Sequence, residues 1–284
     1  MRIGMIGLGK MGLHMATRLV RGGHSVVGNA KSESTIREAE ELGVTGARSL
    51  EEVVSQLSTP RVVWVMVPAG EVTESVIRSL IPLLQKGDII IDGGNSNYKD
   101  SVRRAAELQT HGLHFVDCGT SGGIWGLSEG YSLMIGGEEE TVRQFRPIFE
   151  TLAPAPDEGW GRVGSAGAGH FTKMVHNGIE YGMMQAYAEG LALLEAKHEL
   201  HLDVAKIAES WRHGTVIRSW LLDLTAEFLA EDGRLESIAP VVADSGEGRW
   251  TAIESVELGV PTPVMTLALM QRFASQGRGD FADR

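Results

Sequence analysis

The residues closest to the N-terminus restrict the fold more than any other stretch. Arg2–Ile6 is a short apolar run, Gly7-Leu8-Gly9-Lys10-Met11-Gly12 follows at once, and Leu13 to Arg21 has helical spacing. A strand, a GxGxxG turn and a helix in that order have a mechanical reading. The first glycine makes the tight turn, the second lets the backbone approach a pyrophosphate, and the third lets helix and strand pack closely. The helix N-terminus then offers N–H groups to an anion. GxGxxG alone is a weak signal; between a strand and a helix it is a strong one. Gly7, Leu8, Gly9, Lys10, Met11 and Gly12 are therefore candidate dinucleotide ligands.

The second strand, His24 to Gly28, is expected to end beside the adenosine ribose. An Asp or Glu there would suit NAD, but the chain reads Gly28-Asn29-Ala30-Lys31-Ser32. Asn29, Lys31 and Ser32 can accept a 2′-phosphate, which favours NADP, with NAD as the alternative. A plainer reading leaves Lys31 as a solvated loop charge and gives Ser32 or Ser34 the cap of a helix over Thr35–Leu42, closed by Gly43.

Strands and helices then alternate. Ser49 and Glu52 form a capping box for a helix ending at Leu57. Arg61–Val67 has the apolar run of a buried parallel strand and leads into Pro68-Ala69-Gly70. Val67, Pro68 and Ala69 are assigned to the cofactor. Helical spacing over Glu71–Leu84 precedes a strand at Asp88–Asp92, which ends in Gly93-Gly94-Asn95-Ser96. Tyr98–Thr110 is helical, and a strand at Leu113–Asp117 ends in Cys118-Gly119-Thr120-Ser121-Gly122-Gly123. Ligands bind beyond the carboxyl ends of such strands, and three small polar loops coincide there. A further strand at Ser132–Ile135 and a helix over Thr141–Leu152 follow. Residues 153–168 are rich in Gly and Pro and mark the boundary. Beyond them only helical patterns occur, near Asp203–Arg212, Ile217–Ala230, Trp250–Leu258 and after Pro263. The expected fold is an α/β doubly wound Rossmann domain, residues 1–165, followed by an all-α domain for substrate and dimerisation, residues 166–284.

One helix in the second half carries the chemistry. In Gly169–Gly190, Lys173, His176, Asn177, Glu180 and Tyr181 fall at i, i+3, i+4, i+7 and i+8, on one face. Val175, Ile179, Gly182 and Ala186 take the opposite face, and Met184 and Leu191 end the polar stripe. The pattern predicts a helix buried on most sides with a short polar window. A buried Lys and Glu are costly unless paired or used. Burial lowers a lysine pKa and raises a glutamate pKa, so the two side chains suit a base and an acid near neutral pH. A lone Lys/Glu pair would read as a structural ion pair; with Asn, His and Tyr on the same face, the functional reading leads.

The remaining features narrow the field. The chain has 284 residues and a formal net charge of −11, which argues against nucleic acid or an anionic membrane as partner. A single cysteine, Cys118, excludes an internal disulfide and suits a reducing compartment, and no apolar run is long enough to cross a bilayer, so a cytoplasmic location is expected. Cys118 reads as a packing residue, having no neighbouring base in sequence. His198 and His201 lack a third ligand nearby, so no metal site is expected. Arg218 interrupts an apolar run; from composition alone, anion binding and a plain salt bridge are equally good readings. Apolar Trp and Met in the helical half suggest a homodimer or higher homo-oligomer.

The set GLGKMG, DGGNSNYKD, TSGGIWG, GHFTKMVHNGIEYG and DSGEGRW, in this order from Ile3 to the last helix, resembles decarboxylating 6-phosphogluconate dehydrogenase in its shorter bacterial form, within the β-hydroxyacid dehydrogenase superfamily. Each motif is shared with the superfamily; KMVHNGIEYG together with GGNS is specific to this branch. The resemblance implies oxidation and decarboxylation of a sugar-acid phosphate, 6-phosphogluconate, to ribulose 5-phosphate and CO2, with hydride transfer to NADP or NAD and no metal. It implies Lys173 as the general base for the C3 hydroxyl and Glu180 as the acid that protonates the enediol. It implies that Asn95, Ser121, Gly122, Gly123, His176 and Asn177 hold the carboxylate and hydroxyls, with Asn95 also near the cofactor. Tyr181 and Arg218 would contact the 6-phosphate.

Three departures accompany the resemblance. The longer enzymes have a Lys and a Thr where this chain has Ser245 and Glu247, and an acid sits poorly beside a phosphate. The Arg common after the second strand in NADP-using members is Ala30 here. In the family a tail with an FGxH-type segment reaches into the partner subunit and clamps the phosphate; it does not follow here, so a truncated form with weaker phosphate binding is expected. Two competing readings are a related β-hydroxyacid dehydrogenase or imine reductase acting on a non-phosphorylated substrate, and a non-catalytic dinucleotide-binding protein.

Overall fold

A computed structural model describes residues 1–278, so the last residues of the expected second domain, 279–284, lie outside the described part. Two compact units are present, Met1–Met174 and Val175 onward.

The first unit is built on one eight-stranded sheet in the order β3-β2-β1-β4-β5-β6-β7-β8. The strands are β1 (Arg2–Ile6), β2 (Ser25–Asn29), β3 (Thr45–Ala47), β4 (Val62–Val65), β5 (Ile89–Asp92), β6 (His114–Ser121), β7 (Ser132–Gly137) and β8 (Trp160–Gly164). β1 to β6 pair in parallel, β7 runs antiparallel to β6, and β8 is parallel to β7. Chain order reverses between β1 and β4, which opens a crevice beyond their carboxyl ends. The connecting helices are α1 (Lys10–Arg21), α2 (Glu33–Glu41), α3 (Leu50–Ser55), α4 (Glu71–Leu80), α5 (Tyr98–Thr110), the short α6 (Gly126–Glu129), α7 (Glu139–Gln144) and α8 (Arg146–Leu152). Two apolar clusters cover the sheet: one includes Met5, Trp64, Ile91 and Phe149, the other Val27, Val63, Ile90 and Phe115. The inner strands are buried along their whole length, as a parallel sheet covered on both faces requires.

Several expectations are corrected. The helix expected over Thr141–Leu152 is two helices, because the chain breaks at Phe145 and α8 restarts with Pro147 in its first turn, where a missing N–H costs nothing. The Gly- and Pro-rich segment 153–168 contains β8, and β3 had no clear sequence signal. The strand expected to stop at Asp117 continues to Ser121, so Thr120 and Ser121 are strand residues paired with β7.

α9 (Ala168–Ala196) is a single helix of 29 residues that runs through the division between the units. The second unit continues with α10 (Val204–Trp211), α11 (Trp220–Glu231), α12 (Glu247–Leu258) and α13 (Pro263–Ser275). Its cores are small: Tyr181 with Ala268 and Leu269, and Ala208 with Ala226 and Leu229. The expectation that α9 is buried on most sides holds only for its first turns. Ile179 is 52% exposed, and Met183, Met184 and Leu193 are exposed as well, because the second unit covers one face of the helix and leaves the other bare.

Candidate active site

The first loop at the carboxyl edge of the sheet owes its shape to glycine. Gly7 has φ +95°, and a Cβ there would lie 2.3 Å from Met66 O; one on Gly12 would lie 1.9 Å from Gly7 O. The turn and the helix that follows it therefore tolerate no side chain at either position. Gly9 differs: a Cβ there would meet nothing within 4 Å. No side chain caps α1, and its first turn holds no acid. A bare helix N-terminus behind an open glycine fits the pyrophosphate of a dinucleotide. Leu8 is buried, Met11 half-buried and Lys10 exposed.

At the end of β2, two of the three proposed 2′-phosphate ligands are already engaged. Asn29 Nδ2 donates to Ala47 O at 2.9 Å. Ser32 is the N-cap of α2 and accepts from Thr35 N at 3.1 Å. Lys31 is exposed and makes no ion pair among the described residues. Beyond β4, Thr73 Oγ1 donates to Pro68 O at 3.0 Å and holds the Val67-Pro68-Ala69 loop. Val67 is half-buried, and Pro68 and Ala69 are exposed.

The loop after β5 is stiffened by a buried charge network. Arg104, fully buried, donates to Asp92 Oδ2 at 3.0 Å, Ser96 Oγ at 3.1 Å and Glu74 Oε2 at 3.0 Å. Asp92 also accepts from Gly94 N at 3.0 Å and Ser96 Oγ at 2.8 Å, which folds the turn back on its own strand. Within it, Asn95 has φ 52°. Its Oδ1 accepts from Thr120 N at 2.9 Å and its Nδ2 donates to Thr120 O at 3.1 Å. Asn95 thus ties the β5 loop to β6, leaving one amide hydrogen and its backbone for a ligand. Ser121 closes β6, and Gly122 and Gly123 follow with φ 129° and 53°, values that side chains rarely permit.

In the first unit, α9 begins directly on β6. Lys173 is 5% exposed. A Cβ on Gly119 would lie 2.4 Å from Lys173 Cβ, so the lysine stem rests on bare strand backbone. Cys118, next to it in sequence, is buried; burial pushes its thiol far above the ordinary range, which removes it as a nucleophile at neutral pH.

In the second unit, His176 Nδ1 lies 3.8 Å from Glu180 Oε2, with the Glu180 side chain 38% exposed. The burial expected for this glutamate is therefore corrected: its side chain is only half-buried. Asn177 is buried, and its Nδ2 donates to Glu247 Oε2, which also accepts from Ser245 Oγ at 2.8 Å. The Tyr181 hydroxyl lies 3.1 Å from Ser245 Oγ and accepts from Ser245 N at 3.2 Å. The Arg272 guanidinium covers the Tyr181 ring, 3.4 Å from its centroid. Asp244 anchors this turn: burial opposes its ionisation, but Gly246 N–H and Arg249 hold its carboxyl below the usual range. Arg218 is exposed and forms no ion pair among the described residues.

Asp92, Arg104, Asp117 and Asp244 were not singled out from sequence. A signal existed for the two strand aspartates. A carboxylate closing an all-apolar strand, as in Ile89–Asp92, cannot be buried without donors, so a partner had to exist.

Residues 2–164 match a family model described as the NAD binding domain of 6-phosphogluconate dehydrogenase, and residues 169–280 one described as 6-phosphogluconate dehydrogenase, C-terminal domain. A Haloferax volcanii protein named 6-phosphogluconate dehydrogenase, NAD(+)-dependent, decarboxylating, is 40% identical over 285 residues, covering 100% of this chain and 94% of its own length. The decarboxylating 6-phosphogluconate dehydrogenase of Staphylococcus aureus is 39% identical over 96% of this chain, which spans 61% of that protein. Among solved structures, a Plasmodium falciparum 6-phosphogluconate dehydrogenase, studied apo, with NADP+ and with 6-phosphogluconate, superposes with a TM-score of 0.89 at 31% identity, covering 100% of this chain and 64% of that one.

Proposed function

This chain belongs to the 6-phosphogluconate dehydrogenase family, and from that premise we propose that it oxidises and decarboxylates 6-phosphogluconate with NADP or NAD. We propose 1–165 as the dinucleotide-binding domain and 166–284 as the substrate and dimerisation domain. A nicotinamide dinucleotide held at the Gly7–Gly12 turn would supply the acceptor for the C3 hydride. Lys173 takes the C3 hydroxyl proton and, once protonated, polarises the new carbonyl so that the carboxylate leaves as CO2. Glu180 then protonates the resulting enediol, and ribulose 5-phosphate is released. Asn95, Ser121, Gly122, Gly123, His176 and Asn177 hold the sugar acid, with Tyr181 and Arg218 toward its phosphate. A cytoplasmic location and a homodimer complete the reading.

The observation that carries it is Lys173, an amine-bearing side chain 5% exposed on a helix seated against a glycine of the ligand-binding edge. Burial of this kind suits a lysine used as a base. Lys173→Ala is expected to lower kcat by roughly 100- to 10,000-fold while dinucleotide binding persists. Initial rates and a cofactor titration measure both, and retained turnover removes the assigned base.

Glu247 favours a second reading. Its buried carboxylate occupies the Asn177 amide and the Ser245 hydroxyl, in a turn where the resemblance places a Lys at the Ser245 position and a Thr at the Glu247 position. A non-phosphorylated β-hydroxy acid or an imine would be the substrate on that reading. A panel of aldonates decides between them: turnover without phosphate equal to that of 6-phosphogluconate displaces the first reading.

A further inference from the structure

We infer that Asp117 is the positioning residue of this active site: its carboxylate pins the first turn of α9 to β6 and so sets where Lys173 stands. The inference rests on the reading of Lys173 as the base.

Asp117 lies within β6 with no exposed surface. Among the described residues no cation pairs with it. Its two oxygens are taken by backbone donors at the start of α9, 50 and 53 residues later in the chain: Gly167 N at 2.7 Å and His170 N at 2.8 Å. One side chain therefore supplies what a helix N-terminus lacks, from a different element. The charge also lies at the positive end of a 29-residue helix, where an anion is favoured.

Bare backbone around the carboxylate makes the pin stiff. Gly136 on β7 is the cross-strand partner of Asp117, and a Cβ there would lie 2.4 Å from Asp117 Oδ1 and 2.8 Å from Gly169 N. A Cβ on Gly169 would lie 2.4 Å from Met134 O and 2.6 Å from Asp117 O. The His170 ring is held separately, with Nδ1 2.7 Å from Ser101 Oγ. Asp117 and Gly119 share one face of β6. One receives the helix end; the other receives the stem of Lys173, a turn further on. Axial sliding of α9 would break both carboxylate bonds and drive backbone into backbone, so the height of the lysine along β6 follows from Asp117.

The test compares Asp117→Asn with Asp88→Asn. An amide at 117 keeps the shape but turns a donor toward one of the two N–H groups. Asp88 is equally buried and accepts from Arg61 N at 2.7 Å and Gln85 N at 2.9 Å, but at the amino edge of the sheet. Melting temperature, dinucleotide affinity and steady-state kinetics with 6-phosphogluconate are measured for both, with Lys173→Ala alongside. We expect both asparagine variants to melt earlier and bind dinucleotide normally. Only D117N should lose kcat, by about a hundredfold, the scale set by small misplacements of a reacting group. Wild-type kcat in D117N, or equal losses in D117N and D88N, overturns the inference while leaving the base assignment standing. Retained turnover in the Lys173 variant instead overturns the reading beneath it, and the inference with it. Should D117N not fold, hydrogen exchange of the wild-type Gly167 and His170 amides carries the test: protection equal to that of the inner strands supports the pin, and exchange as fast as that of exposed amides overturns it.

Discussion

At the scale of single residues, buried charge governs stability. Glu74 receives Arg103 and Arg104, and the Arg103 hydrogen bond first, then Arg104, against the opposing pull of burial, lowers its carboxyl from 4.5 to about 2. A folded-state pKa below the unfolded one stabilises the fold above pH 4.5 and loses that support as pH falls toward 2. At roughly 1.4 kcal/mol per pKa step this is worth about 3 kcal/mol. Urea midpoints taken across that window should fall less steeply for Glu74→Gln than for the wild type; an unchanged slope contradicts the assignment. The proposed contact to a 2′-phosphate is also a single side chain. Asn29 Nδ2 is bonded to Ala47 O and Ser32 caps its helix, and Lys31 is the cation we propose for a 2′-phosphate. Lys31→Ala should cut kcat/KM for NADP about tenfold, the worth of one charge-assisted bond, and leave NAD untouched. Equal effects on both cofactors would remove Lys31 from the site.

Among elements, the seam between β6 and α9 bears the most weight. Gly119→Ala would put a Cβ 2.4 Å from that of Lys173 and 2.7 Å from Gly169 O, contacts that neither strand nor helix can absorb. We expect a loss of about 2–3 kcal/mol in denaturant unfolding together with a fall in kcat; a stable, fully active variant would show that the seam yields. Much of this level was legible before any coordinates. The apolar runs of β4 and β5, the capped helices and the glycine turns each announce themselves locally. What was not legible depends on neighbours. β3 is three residues with a glycine in the middle, and β8 reads Trp-Gly-Arg-Val-Gly, a linker by composition; each is a strand only because β2 or β7 supplies a ladder. The five polar residues of α9 were correctly grouped by helical spacing, but the exposure of Ile179 and Glu180 depends on what packs against the helix, which spacing does not encode. Asp117 was overlooked for the same reason, since its donors lie 50 residues away.

For the molecule as a whole, the second unit presents several large apolar side chains to water. Leu193, Val256, Val264 and Leu267 are all more than half exposed, and Val216 wholly so. Surfaces of this kind are uncommon on monomers and usually belong to an interface. Sedimentation at micromolar concentration should give a dimer, and Val256→Asp with Leu267→Asp should shift it toward monomer and lower the melting temperature; a monomeric wild type would exclude the homodimer. Among the described residues no helix is long and apolar enough to cross a membrane.

The glycines of the β6–α9 seam have a consequence for descent. Side chains elsewhere can be exchanged in small steps, each tested by selection before the next. Where Gly119, Gly136 and Gly169 meet main chain there is no smaller or larger neighbour to try. Diversification of this lineage would then be channelled outward, into the surrounding loops, while the seam itself stays as it was inherited.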